Sequence, residues 1–343
     1  MLHTLIVGMG RSGQELHLPA LARVRAAAPG LLARTPVVAV DPFRAPAQVP
    51  GVVGAGSLEE AARLRPPART VVHVCTPPGA RASVLARLAG LGYRKIIVEK
   101  PLAVDLAGLM DVARIRRRWD LDVTVATHWL DSGLTRRLRA AVRGGLHGEL
   151  RRIDVLQNKP RFTRSTAVRD HPTAFDVELP HALAVVLSLA GGARIAGASW
   201  DDMVIGRLRV PRLGRARLRL DHFAGVVTEI DSDLTSPVRE RRITLEFDRA
   251  VLVGHYPCSE ADHTAQLRVV RPGGEVSLSV FTDDAFTAFL RGAYARYAGP
   301  ASRVHRTLPV QVDTVRLLTE AKRLCAHQGP GALQREEVQG ALR

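Results

Sequence analysis

Two short runs carry residue types that could do chemistry. The first is Gly8-Met9-Gly10-Arg11-Ser12-Gly13, directly after the apolar stretch Leu5-Ile6-Val7. The second is Glu99-Lys100-Pro101, directly after Ile96-Ile97-Val98. A glycine-rich turn between a buried strand and a helix can seat a dinucleotide. Gly8 would allow the tight turn, Gly10 the close approach of a pyrophosphate, and Gly13 the packing of helix on sheet. The pyrophosphate would lie at the helix N-terminus, where free N–H groups and the helix dipole favour negative charge. Lys100 would stand at the end of a second buried strand, on the edge where such a cofactor presents its reactive ring. An ordinary lysine, with a pKa of about 10.4, is a poor base at neutral pH. Burial beside a positively charged nicotinamide would lower it. The alternatives are a tight βα turn with no ligand for the first run and a surface pair of Lys100 with Glu99 for the second.

The elements that must position these groups follow from hydrophobic patterning. Strands are expected at His3–Val7, Pro36–Val40, Val71–Cys75, Lys95–Val98 and Val123–Thr127. Helices are expected at Gly13–Ala28, Ser57–Leu64, Arg81–Leu91 and Asp105–Trp119. Such alternation builds right-handed βαβ units and a parallel sheet covered on both faces. Ligands of these sheets bind at the carboxyl ends of the strands, where Gly8, Asp41, Thr76 and Lys100 all fall.

From about Arg151 longer alternating stretches follow: Arg152–Gln157, Ile195–Met203, Leu213–Phe223, Val226–Ser232, Glu240–Phe247, Ala250–His255 and Ala265–Val270. They predict a mostly antiparallel sheet, with helices at Pro180–Leu189 and Asp284–Tyr297. The fold class is α/β: an N-terminal Rossmann domain, a doubly wound parallel sheet, over 1–122, then an α/β domain with an open, mostly antiparallel sheet over 123–343. The tail helix, 310–327, could pack back on either domain.

The chain has 343 residues and a formal charge of +16, from 49 basic and 33 acidic residues. Only Lys95, Lys100, Lys159 and Lys322 among the basic residues are lysine, a bias that GC-rich coding produces everywhere rather than on one face. With no zinc-finger spacing and few aromatics, the charge does not argue for nucleic acid. There is no membrane-length apolar run and no signal-peptide pattern at the start, and three unevenly spaced cysteines suggest neither a disulfide framework nor a metal cluster. A cytoplasmic location is expected. Where arginine is the default, a retained lysine such as Lys100 suggests a need for a removable proton.

With these motifs placed, the chain resembles the glucose–fructose oxidoreductase/inositol dehydrogenase (Gfo/Idh/MocA) family. The resemblance rests on Leu5–Gly13 followed by His17, Pro19, Ala20 and Leu21, on Cys75-Thr76-Pro77-Pro78, and above all on Val98-Glu99-Lys100-Pro101-Leu102. Val125–Leu150, Phe175–Gly191 and the tail around Asp313–Ala321 extend it. It implies a Rossmann domain and an open-faced α/β domain with the active site between them. It also implies that Thr76, Pro77 and Pro78 lie along the cofactor, with Glu99, Lys100 and Pro101 nearby, and that Lys100 meets both substrate and nicotinamide. The family's downstream Asp-x-x-x-His, with a second aspartate three residues later, is broken here: Val177 and Ala184 stand at the aspartate positions around His181. Asp176 and Glu178 are the neighbouring carboxylates, and His181, Asp176 and Glu178 are the candidates to act beside Lys100. His128, after the fifth strand, is a candidate substrate contact.

Cofactor choice turns on Asp41, which could bind both ribose hydroxyls of NAD and repel the 2′-phosphate of NADP. Arg44 could serve a 2′-phosphate instead, but NAD is the favoured cofactor. Arg161, Arg164, Arg169 and His171 would suit an anionic substrate if they face the site; an arginine-biased solvated loop is the alternative. Arg215, Arg217 and Arg219 alternate on one strand and should face solvent or a subunit, and the open sheet suggests a homo-oligomer. The leading reading is an NAD(P)-dependent dehydrogenase or reductase of a sugar, cyclitol or related polyol, in a specialised metabolism. The alternatives are a redox-neutral epimerase that retains NAD(H) and a non-catalytic NAD-binding sensor.

Overall fold

The computed structural model describes residues 1–43, 49–167, 171–259, 261–299 and 308–328. Arg44 and Arg169 lie outside the described residues. The chain divides into two units, Met1–His128 with Ala285–Val315, and Trp129–Asp284 with Arg316–Arg343.

The first unit is built on six strands, β1 (His3–Val7), β2 (Val37–Val40), β3 (Val52–Gly54), β4 (Thr70–Val74), β5 (Lys95–Val98) and β6 (Asp122–Val125). They lie in the order β3-β2-β1-β4-β5-β6, all parallel. Parallel strands covered on both faces must be apolar throughout, and β1, β2, β4 and β5 read that way. Leu5, Val7, Val38, Val40, Val72, Val74, Ile96 and Val98 share one core with α3 (Arg81–Gly90) and α4 (Leu106–Arg118). Ile6, Val37, Ala39, Val71 and Ile97 share another with α1 (Leu18–Ala27). The short α2 (Leu58–Leu64) starts at Ser57, whose hydroxyl accepts the Glu60 N–H. The sequence expectation lacks β3, whose three residues sit among glycine and proline.

The second unit carries an eight-stranded sheet. Its strands are β7 (Leu150–Asn158), β8 (Ala193–Trp200), β11 (Arg215–His222), β12 (Val227–Asp233), β13 (Glu240–Phe247), β14 (Ala250–His255), β15 (Thr264–Val270) and β16 (Val276–Thr282). A separate hairpin, β9 (Met203–Ile205) and β10 (Leu208–Val210), takes the end of the expected strand Ile195–Met203. The order is β16-β15-β14-β13-β7-β12-β11-β8, antiparallel except for β7 beside β12. Ile153, Val155, Ile230, Ile243 and Leu245 are buried, while alternate positions on β7, β11 and β12 carry Arg152, Glu229, Asp231, Arg215 and Arg217 in cross-strand ion pairs, with Asp154 pairing Arg152 along β7.

Three helices belong to this unit: α5 (Gly133–Gly144), α6 (Phe162–Ala167) and α7 (Leu179–Ala190). In α7 every residue except Ser188 is buried. The sequence patterning does not predict α5, and its start explains how it forms. Ser132 Oγ and the Asp283 carboxylate accept the first helical N–H groups, which satisfies donors that have no partner within a helix.

Two further helices follow among the described residues. The expectation gives α8 (Ala285–Ala298) to the second domain, yet it packs on α1 and fills the first unit's core with Phe286, Phe289, Leu290, Ala293, Tyr294 and Tyr297. The last helix, α9 (Leu308–Gln328), gives Leu308 and Val315 to the first unit and belongs to the second from Arg316 onward.

Candidate active site

The carboxyl edge of the parallel sheet is closed by backbone hydrogen bonds from each strand's exit residue. Gly8 N–H donates to Val40, Cys75 N–H to Val7, Glu99 N–H to Val74 and Ala126 N–H to Val98, all between 2.8 and 3.0 Å. The glycine turn, the Cys75-Thr76-Pro77-Pro78 turn and the Glu99-Lys100-Pro101 run are therefore held in fixed register along one edge. Gly8 has φ +97°, and a Cβ there would stand 3.0 Å from the Cys75 carbonyl carbon. A Cβ on Gly13 would lie 2.4 Å from the Gly8 oxygen, whereas one on Gly10 would meet nothing within 4 Å. Gly8 and Gly13 are thus required by the protein's own packing, and Gly10 leaves open space at the turn. Beside it the buried Thr76 hydroxyl has no hydrogen-bond partner in the protein. Open space at Gly10 and an orphaned hydroxyl at the next strand end fit a dinucleotide.

Asp41 follows β2 and accepts the Met9 N–H at 2.7 Å through Oδ2 and the Phe43 N–H at 2.9 Å through Oδ1. It braces the glycine turn from the end of β2. Met9 is itself fully buried, and Arg11 pairs with Glu15 on the surface.

Ser12 opens a π-helical segment, Ser12–His17, that leads into α1, and donates to Glu99 Oε1 at 2.8 Å, tying the glycine turn to the lysine run. Glu99 Oε2 accepts the Lys100 N–H at 3.2 Å, and Oε1 lies 2.9 Å from His17 Nε2. Burial alone would raise the Glu99 pKa, but His17, Lys100 and Ser12 outweigh it and hold the carboxyl down to about 2. Burial likewise opposes charge on His17, yet Cys75 and Glu99 push its pKa up to about 10. Arg81, 2% exposed, reaches the carbonyls of Thr76 and Lys100 at 3.4 and 3.5 Å. The Lys100–Pro101 bond is cis. His128 packs edge-on against Phe286 at 5.1 Å.

In the second unit a polar cluster lies where β7 ends and α7 begins. Lys159 Nζ bonds Glu178 Oε1 at 2.7 Å, and Arg241 lies 3.9 Å from Oε2. Burial, with Arg241 and Arg161 adding to it, lowers the Lys159 pKa against the pull of Glu178. The Trp129 ring stacks against both His181 (5.4 Å between centroids) and Tyr256 (4.4 Å), with Arg241 5.6 Å from its centre. Gln157 stands directly opposite both Ser232 and Arg241 in the ladder. The Gln157 amide and the Ser232 hydroxyl are buried with no hydrogen-bond partner. Arrayed cations, a carboxylate and unsatisfied polar groups on one row can bind a polar, anionic molecule.

Asp176 takes a different place from its neighbour Glu178. Its Oδ2 accepts from the Thr173 hydroxyl at 2.7 Å and from the Thr173 N–H in a capping box, and Oδ1 pairs with Lys322 at 2.9 Å. Both oxygens of Asp176, a sequence candidate to act beside Lys100, are engaged in the turn before α7 and its tie to α9. Arg161 is buried; Arg215 and Arg217, on the strand face expected to meet solvent or a subunit, are partly exposed and pair with Asp231, and Arg219 on the same face is exposed. Sequence reasoning missed Lys159, Arg241, Trp129 and Gln157, which only strand pairing brings together. The scarcity of lysine was a signal that could have found Lys159.

Residues 2–127 match the Gfo/Idh/MocA family model, described as an oxidoreductase family with an NAD-binding Rossmann fold. No curated protein matches the chain. Among solved structures, an NAD-binding oxidoreductase from Klebsiella pneumoniae is similar at 15% identity and TM-score 0.78, covering 96% of this chain and 97% of that one. The 3-ketoreductase KijD10 from Actinomadura kijaniata, in complex with TDP-benzene and NADP, is similar at 16% identity and TM-score 0.73, covering 94% and 98%. At these identities the likeness to solved structures is one of fold. No helix among the described residues is long and apolar enough to cross a membrane.

Proposed function

We propose, from the match of residues 2–127 to the Gfo/Idh/MocA oxidoreductase family model with its NAD-binding Rossmann fold, that the protein is an NAD(P)-dependent dehydrogenase or reductase. Its substrate carries a hydroxyl or keto carbon on a sugar, cyclitol or related polyol, and NAD(H) is the preferred cofactor. The observation that carries this reading is the Ser12–Glu99 hydrogen bond, which joins the open glycine turn to the lysine run on one sheet edge.

Gly8–Gly13, Asp41, Thr76, Pro77 and Pro78 would hold the cofactor, with Glu99, Lys100 and Pro101 beside it. The nicotinamide, when bound, supplies or accepts the hydride. Lys100 gives its proton to the substrate oxygen when a carbonyl is reduced and takes one back when an alcohol is oxidised. In the second unit we assign substrate binding to Lys159, Glu178, Arg241 and His181. Their two cations favour an anionic substrate such as a sugar phosphate, a nucleotide sugar or a sugar acid. The TDP ligand of the similar 3-ketoreductase is consistent with that class. The Asp41 carboxylate supports NAD(H) over NADP(H) through repulsion of a 2′-phosphate.

The test is turnover and cofactor binding in wild type and Lys100→Ala. The variant should bind NAD(H) as wild type does and lose about 10²–10⁴ in kcat. Absence of NAD(H) and NADP(H) binding in the wild type would overturn the enzyme reading. Cofactor retained through purification, with turnover needing none added, would replace it with a recycling epimerase.

A further inference from the structure

A buried polar chain crosses the first unit and has no part in the chemistry described so far. From Glu99 it passes to His17 Nε2 at 2.9 Å. It continues from His17 Nδ1 to His73 Nδ1 at 2.6 Å, from His73 Nε2 to the Tyr294 hydroxyl at 3.0 Å, and from there to Thr4 Oγ1 at 2.6 Å. His17, His73, Tyr294 and Thr4 are each at most 4% exposed. The chain links four elements: the helix after the glycine turn, β4, α8 and β1.

With His73 neutral, two proton arrangements satisfy every contact. In one, a cationic His17 donates from both nitrogens, to Glu99 and to His73; His73 donates to Tyr294 and Tyr294 to Thr4. In the other, His17 is neutral with its proton toward Glu99, and every bond beyond it reverses. A buried carboxylate favours the first, because it needs a nearby cation. His73 stays neutral in both, and burial with the His17 charge beside it lowers its pKa.

The charged and titratable groups around this centre are few. Cys75 lies at the end of β4 beside His17, Arg81 comes from α3, and Ser12 and the exposed Arg11–Glu15 pair come from the helix itself. The Phe286 ring of α8 packs on His17 and separates it from His128. Glu99 is thus the one carboxylate in contact with His17 among the described residues, and it is covalently next to Lys100.

We propose that His17, held by His73 and Tyr294, is a positioning residue that draws on the charge of Glu99 and thereby makes Lys100 readier to release its proton. This rests on the reading of Lys100 as the proton-handling group. With a cation at His17, Glu99 gives Lys100 only part of its stabilising field; without it, the whole field falls on the lysine.

Four lysines in the chain make Lys100 readable by carbon NMR of labelled lysine, its signal identified by its loss in Lys100→Arg. His17→Asn should titrate Lys100 about one pH unit higher, and Glu99→Gln about one unit lower. Opposite signs from two neighbouring variants are not an outcome of general disruption. In alcohol oxidation the acid limb of kcat/KM should move with them, about tenfold slower in His17→Asn below the limb and unchanged above it. Wild-type nitrogen NMR should show His17 as an imidazolium at pH 8, a reading that needs no variant to fold. A neutral His17 there, or an unmoved Lys100 in His17→Asn, overturns the proposal. Full turnover in Lys100→Ala overturns the functional reading instead and leaves the NMR result standing.

Discussion

Asp176 and Glu178 sit two positions apart, and their partners separate their roles. Replacing Asp176 by Asn weakens a largely buried ion pair with Lys322 and one side of a capping box. It should lower unfolding stability by roughly 2 kcal/mol, seen as an earlier urea midpoint, with kcat retained in the folded variant. Replacing Glu178 by Gln removes the countercharge of Lys159 and Arg241. It should reduce kcat/KM about tenfold or more while cofactor affinity, measured by fluorescence titration, stays as in wild type. Sequence reading could nominate both carboxylates because they flank His181, but it could not tell them apart: Thr173 and Lys322 reach Asp176 only through the turn before α7 and the return of α9. Lys100 was legible because its immediate neighbours define it. His17 and His73 were not, since 56 positions separate them and only the pairing of β1 with β4 brings them into contact.

Among the elements, the glycine turn gives the sharpest contrast. Gly13→Ala would put a Cβ 2.4 Å from the Gly8 oxygen, so the helix must move off the sheet. The expected result is a clear drop in melting temperature together with loss of cofactor binding. Gly10→Ala meets nothing in the protein and should melt like wild type, yet bind NAD(H) at least about tenfold more weakly, as a pyrophosphate would meet the added methyl. Isothermal titration and a melting curve on each variant distinguish the two glycines. The central strands of the first sheet could be read to within a residue or two because both faces are buried and the runs are uniformly apolar. By contrast, α5 hides its periodicity under arginines and was not legible, while β16 carries a clear alternation, Val276-Ser277-Leu278-Ser279-Val280, that the expectation passed over even though the strand is exposed along nearly its whole length. The charged cross-strand ladder of β7, β11 and β12 likewise depends on register, which sequence alone does not supply.

At the scale of the whole molecule, the buried histidines make stability depend on pH in a definite sense. His17 has its pKa raised from 6.5 to about 10, so its contribution is complete below pH 6.5 and is lost as pH rises toward 10. His73 is lowered well below 6.5, so its neutral form favours folding above pH 6.5 and is penalised as pH falls. Glu99, lowered from 4.5 to about 2, contributes above pH 4.5 and loses that contribution below it. Together these groups place the stability maximum near pH 6.5, which a series of melting curves across pH would locate; His17→Asn should flatten the alkaline side. We also expect a homo-oligomer through the open sheet, to be checked by light scattering on the eluting protein. The order in which this chain is synthesised has its own consequence. Helix α8 supplies Phe286, Phe289, Leu290 and Tyr294 to a core whose members on the strands and on α1 all lie at or before Ala126 in the chain. A ribosome releasing the chain from its start therefore produces the nucleotide-binding unit first and lets it close last. Until α8 emerges, one face of the nascent parallel sheet is covered by α1 alone, and a chain stalled after Asp284 should be cut readily by protease where one extended past Val315 is protected.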